Sequence, residues 1–129
     1  RFPAQPPGRV LLMGAPVGGS AAARRLSEYR VGQRMLGSIA SEELLAERRL
    51  TWQQPRQLGV IAGTRPMGLG RLLLRFREPS DGTVAVRETE LDGSADRILL
   101  PVSHFGMLLS ARVVEQVARF LRDGRFGLV

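Results

Sequence analysis

Cysteine is absent from this 129-residue chain. Its absence excludes disulfides, thiolate metal sites and a cysteine nucleophile, and leaves the redox compartment open. Lysine and asparagine are also missing, so all 19 basic residues are arginines. Histidine occurs once, at His104, as do tryptophan, at Trp52, and tyrosine, at Tyr29. With no second histidine and no thiol to join it, His104 is disfavoured as a zinc-type ligand, and no metal or cofactor is expected. No apolar run approaches the roughly 18 residues that cross a bilayer, so no transmembrane segment is expected. The opening Arg1-Phe-Pro-Ala-Gln-Pro-Pro-Gly8 has no apolar signal core, which points to the cytoplasm. It also lacks an initiator methionine, so Arg1 reads as an internal position of a longer protein.

What is present suits a globular domain with a real core, at 43% hydrophobic and 24% charged residues. The net charge of +7 opens an alternative reading as a binder of nucleic acid or an anionic surface. That reading needs basic residues gathered on one face. Here the arginines are spread from Arg1 to Arg125 in ones and twos, with no aromatic interleaving, so no nucleic-acid partner is expected.

Three short apolar runs lack polar alternation: Arg9–Gly14, Leu58–Gly63 and Arg97–Val102. Such runs suit strands of a parallel sheet buried on both faces. Pro101 marks a strand end or an edge. Helical patterns are expected from Ala21 to about Tyr29 or Met35, and from Ser41 to Leu50 with Ser41 as cap and Glu42 and Glu43 in the first turn. One or two helical turns are expected within Arg71–Phe76. The clearest helix begins at Ser110, with Val113, Val114, Val117, Phe120 and Leu121 as its apolar face and Gly124 as its stop. Asp81-Gly82 and Asp92-Gly93 read as turns, and Thr83–Glu88 as a strand or extended segment. The fold class is therefore α/β, a mainly parallel sheet with flanking helices. Three parallel strands make a poor free-standing sheet, and an open apolar edge on Arg9–Gly14 would need a further partner strand.

The segments "RVLLMGAPVGGS", "LGVIAGTRP", "SDGTVAVRETELDGSADRILLPVSH" and "ARVVEQVARFLRDGRF" resemble the C-terminal half of a bacterial α/β-hydrolase of the lipase/esterase kind. The resemblance runs from Arg9 to Phe126. In that family the triad follows the order Ser, then Asp or Glu, then His. The acid often stands in an Asp-Gly-x-Val segment and the His just after the last strand, which Asp81-Gly-Thr-Val84 and Pro101-Val-Ser-His104 match. The resemblance thus implies Asp81 as acid and His104 as base, in a partial hydrolase domain over residues 1–129 that cleaves a small-molecule ester or lipid-like substrate through an acyl-enzyme. Asp92 and Asp96 are rival acids, closer to His104 in sequence; Asp96 would stand at the start of the last strand, the wrong end of the sheet.

The nucleophile is not found. The family's elbow is Gly-x-Ser-x-Gly at a strand end; the nearest candidate, Gly18-Gly-Ser20-Ala-Ala22, has alanine for the last glycine and lies well past the strand. Ser20 reads instead as a helix cap. The resemblance places the serine and the oxyanion hole upstream of Arg1, in an N-terminal half absent from this chain. A phosphate-binding reading of Gly14–Ser20 fails for want of a P-loop lysine and of dinucleotide glycine spacing. Phe105, Met107, Leu108 and Arg71–Phe76 are candidates for an acyl pocket or lid. If the chain lacks a nucleophile altogether, it reads as an inactive hydrolase-like binding module.

Overall fold

A computed structural model describes residues 8–17, 50–67 and 79–128. The helices expected near 21–35 and 71–76, and residues 41–49 of the one expected to Leu50, lie outside the described residues, as do Ser20 and Ser41; Leu50 itself is exposed and not helical. The rest forms a three-stranded sheet of β1 (Val10–Met13), β2 (Leu58–Gly63) and β3 (Asp96–Leu100), in that order. Both pairings are parallel, with Val10 opposite Leu58 and Gly59 opposite Asp96. All strand C-termini therefore lie at one edge of the sheet, where open α/β sheets carry their sites.

Burial follows position in the sheet. β2 is central and all its residues are buried, which its uninterrupted Leu-Gly-Val-Ile-Ala-Gly sequence requires. β1 is only partly buried along its length, and among the described residues it is paired on one side alone. β3 is shorter than its apolar run: it ends at Leu100, and Pro101, which has no N–H for the ladder, follows.

The helix α1 (Ala111–Asp123) starts and stops where its caps dictate. The Ser110 hydroxyl accepts from the Val113 N–H, and Gly124 takes the left-handed conformation at φ 74°, its N–H donating to the Phe120 carbonyl at 2.8 Å. Its buried face is narrower than the sequence implies. Val113, Gln116 and Phe120 are buried and Val117 packs partly, whereas Val114 and Leu121 are 60% and 45% exposed. At ~100° per residue, 113, 116, 117 and 120 share one arc and 114 and 121 fall at its side. Gln116 is tolerated in the core because its Oε1 accepts the Gly127 N–H at 2.8 Å. The core joins Ile61, Ile98, Leu100 and Val113, with Leu11, Met13, Val117 and Phe126 against them.

The segment Thr83–Glu88 is not a strand. A 3-10 turn occupies Val86–Thr89, preceded by a tight loop closed by the Ser80–Ala85 bridge. Two acidic side chains draw the amides of 83–85 away from any ladder, as set out below.

Candidate functional site

The C-terminal edge of the sheet brings three loops together. Gly14 follows β1, Asp81 stands in the loop after β2, and His104 follows β3 as the residue that opens a 3-10 turn over Phe105–Leu108. The His104 Nδ1 lies 2.8 Å from the Asp81 Oδ2. The His104 backbone N–H also donates to the Asp81 carbonyl at 3.0 Å, so loop and loop are joined by main chain as well as side chain.

Asp81 is 1% exposed. Its Oδ1 accepts the Thr83 N–H at 2.9 Å and the Val84 N–H at 2.7 Å, and its own N–H donates to the Val84 carbonyl. These bonds fix one carboxyl oxygen in the loop and leave the other facing the imidazole. Three donors then converge on a group that in its ionised form only accepts. An acceptor at Nδ1 selects the tautomer with the proton there and leaves the Nε2 lone pair outward. The His104 side chain is 33% exposed, and no described residue hydrogen-bonds to Nε2. The Phe105 ring meets the imidazole edge-on, centroids 5.9 Å apart.

Two glycines make this meeting possible. Gly14 has φ +54°, and a Cβ there would lie 3.0 Å from the Asp81 Oδ2 and 3.1 Å from the His104 Nδ1. The end of β1 thus forms the floor beneath the pair. At Gly63 a Cβ would come within 2.7 Å of both the Asp81 Cβ and the Met107 Cε. Its absence lets the acid loop and the turn after His104 both settle onto the end of β2.

The rival acids are elsewhere. Asp96 begins β3 at the opposite edge, where its Oδ1 accepts the Arg97 N–H and its Oδ2 accepts the Phe126 N–H at 2.7 Å. Asp92 is exposed and bridges to Thr51, its carbonyl accepting the Trp52 N–H. Of the apolar residues near the imidazole, Met107 is buried at 3% exposure and anchors its turn rather than lining a pocket. Phe105, Leu108 and Leu109 are 78%, 73% and 89% exposed. Among the described residues no group of three His, Cys, Asp or Glu side chains could hold a metal ion, and no helix is long and apolar enough to cross a membrane.

The closeness of Gly14 to the pair escaped sequence reasoning, although a glycine at a strand end was its visible trace. The hydrogen bond from the Ala85 N–H to the Glu88 Oε2 at 2.9 Å escaped it too, because the alternation of Thr83–Glu88 imitates a strand. Chemically, a carboxylate-held imidazole with a free outer nitrogen can accept a proton from a hydroxyl and return it. No protein-family profile, curated protein or solved structure matches the chain.

Proposed function

We propose that this chain supplies the acid and base of a Ser-Asp-His triad in an α/β-hydrolase-like serine esterase, acting on a small-molecule ester or lipid-like substrate. The observation that carries the reading is the 2.8 Å bond between a buried Asp81 and a part-exposed His104 at the C-terminal edge of a parallel sheet. In this reading the sheet is the C-terminal part of the hydrolase fold. The nucleophilic serine comes from an N-terminal half that continues the sheet beyond the edge of β1.

The chemistry assigned to each group follows from its position. His104 Nε2 takes the serine proton as the hydroxyl oxygen bonds to the ester carbonyl carbon, giving a tetrahedral oxyanion and an imidazolium. Asp81 stabilises that imidazolium through Nδ1–H without itself taking the proton. The proton then passes from Nε2 to the leaving alcohol as the C–O bond breaks. Water repeats the sequence on the acyl-enzyme, with His104 again as base.

The test is covalent labelling of the protein expressed from its full reading frame with a fluorophosphonate probe, alongside ester turnover. The parent protein is labelled on one serine, and His104→Ala, still folded, loses on the order of 10⁴-fold or more in kcat. A folded His104→Ala that turns over ester like the parent overturns the proposal, and a parent that takes no label favours the binding module.

A further inference from the structure

We propose that Glu88 is a positioning residue for the Asp81–His104 pair, an inference that rests on the hydrolase reading above. Three successive amides of the acid loop point at carboxylates. Those of Thr83 and Val84 donate to the Asp81 Oδ1, and that of Ala85 donates to the Glu88 Oε2 at 2.9 Å. Glu88 is 3% exposed and Ala85 is fully buried. The Ala85 amide is the hinge between the loop that holds Asp81 and the turn that holds Glu88. Across it, Ser80 bridges Ala85 and the Val86 N–H donates to the Pro79 carbonyl.

The turn is in turn referenced to β3. The Arg97 Nη2 donates to the Val86 carbonyl at 2.8 Å and to the Thr89 hydroxyl at 3.2 Å, and Nη1 donates to Glu90 at 3.2 Å. β3 also leads directly into His104. One strand therefore sets both members of the pair: His104 through the chain that follows it, and Asp81 through Arg97, the 86–89 turn and Glu88. Without a carbonyl-type oxygen at position 88, the buried Ala85 N–H loses its acceptor and the loop must turn to find another. That turn carries Oδ2 away from Nδ1. A volume-conserving change that removes the acceptor separates this role from simple packing.

The experiment reads the His104 imidazole in the protein expressed from its full reading frame: in the ¹⁵N-histidine spectrum, taken without substrate, the pair of ring resonances that His104→Ala removes belongs to His104. The 2.8 Å contact of Nδ1 with the Asp81 Oδ2 predicts that in the wild type the spectrum shows the proton on Nδ1 and not on Nε2. Asp81→Asn is the control and must change that distribution. Glu88→Met, which keeps the bulk, is expected to give mixed tautomers and a 10- to 100-fold loss of kcat with KM within about threefold. Glu88→Gln, which keeps an acceptor oxygen, is expected to restore the wild-type spectrum and a kcat within about threefold. If Asp81→Asn alters the spectrum and a folded Glu88→Met does not, the role of Glu88 falls while the pair stands. If Asp81→Asn leaves the spectrum unchanged, the pair itself and the hydrolase reading fall. Should Glu88→Met not fold, Glu88→Gln decides: a folded protein that loses the Nδ1–H tautomer overturns the proposal, and one that keeps it supports the acceptor role.

Discussion

Replacing Gly14 by alanine tests the floor of the site, because one methyl group meets both members of the pair. Two costs follow. Holding a Cβ-bearing residue at φ +54° costs about 1–2 kcal/mol, which for a domain of this size lowers Tm by roughly 3–10 °C. The new Cβ also begins 3.0–3.2 Å from Asp81 Oδ2 and from His104 Nδ1 and Cε1, where ordinary contacts lie near 3.5 Å or more. Something must yield by about half an ångström. Asp81 is buried and its other oxygen is held by two amides, so the part-exposed imidazole moves. The 2.8 Å bond then stretches to about 3.3 Å, at the limit of a useful hydrogen bond. Since a displacement of 1 Å costs about 10²-fold in rate, half of that predicts roughly a 10-fold fall in kcat. Thermal melts, steady-state turnover and the imidazole ¹⁵N spectrum read the three consequences separately. A Gly14→Ala protein that melts with the parent and turns over within twofold of it refutes the reasoning.

Phe120 is wholly buried and stacked on Phe126 at 4.9 Å, so Phe120→Ala is expected to cost about 3–5 kcal/mol in urea unfolding; a loss under 1 kcal/mol would show that α1 is not a pillar of the core. At the end of α1, the hydrogen bond from Arg122 holds the Asp123 carboxyl below its ordinary value. Its contribution is therefore full above the ordinary carboxylate range and disappears as pH falls through the depressed value. In acid titration of stability, the gap between the parent and Asp123→Asn should narrow as pH drops; a gap that widens contradicts the assignment.

The strands were legible because each consists of an apolar run bounded by a breaker. β2 matches its sequence boundaries at both ends, and Pro101 stops β3 early for a reason visible in the sequence. The Asp81–His104 meeting was legible only through the resemblance, since nothing in the spacing of an aspartate and a histidine brings their loops together. Asp96 could be discounted from sequence by its place at the start of a strand, and it does sit at the far edge. The acid loop was misread because alternation is a statement about side chains, whereas its course is decided by backbone amides seeking the carboxylates of Asp81 and Glu88. The width of the buried face of α1 was overestimated for a related reason: apolar residues at 114 and 121 satisfy helical spacing, but the sheet covers only one arc.

The pair is unequally sheltered, with the carboxylate at 1% exposure and the imidazole at a third. Asp81 consequently has no doorway of its own to bulk water: any proton or reagent reaching it in the native protein must come by way of the ring or wait for the loop to open. Diethyl pyrocarbonate should thus modify the His104 ring under conditions where a water-soluble carbodiimide leaves Asp81 untouched, and chemical modification of the pair in the folded protein should begin at the ring.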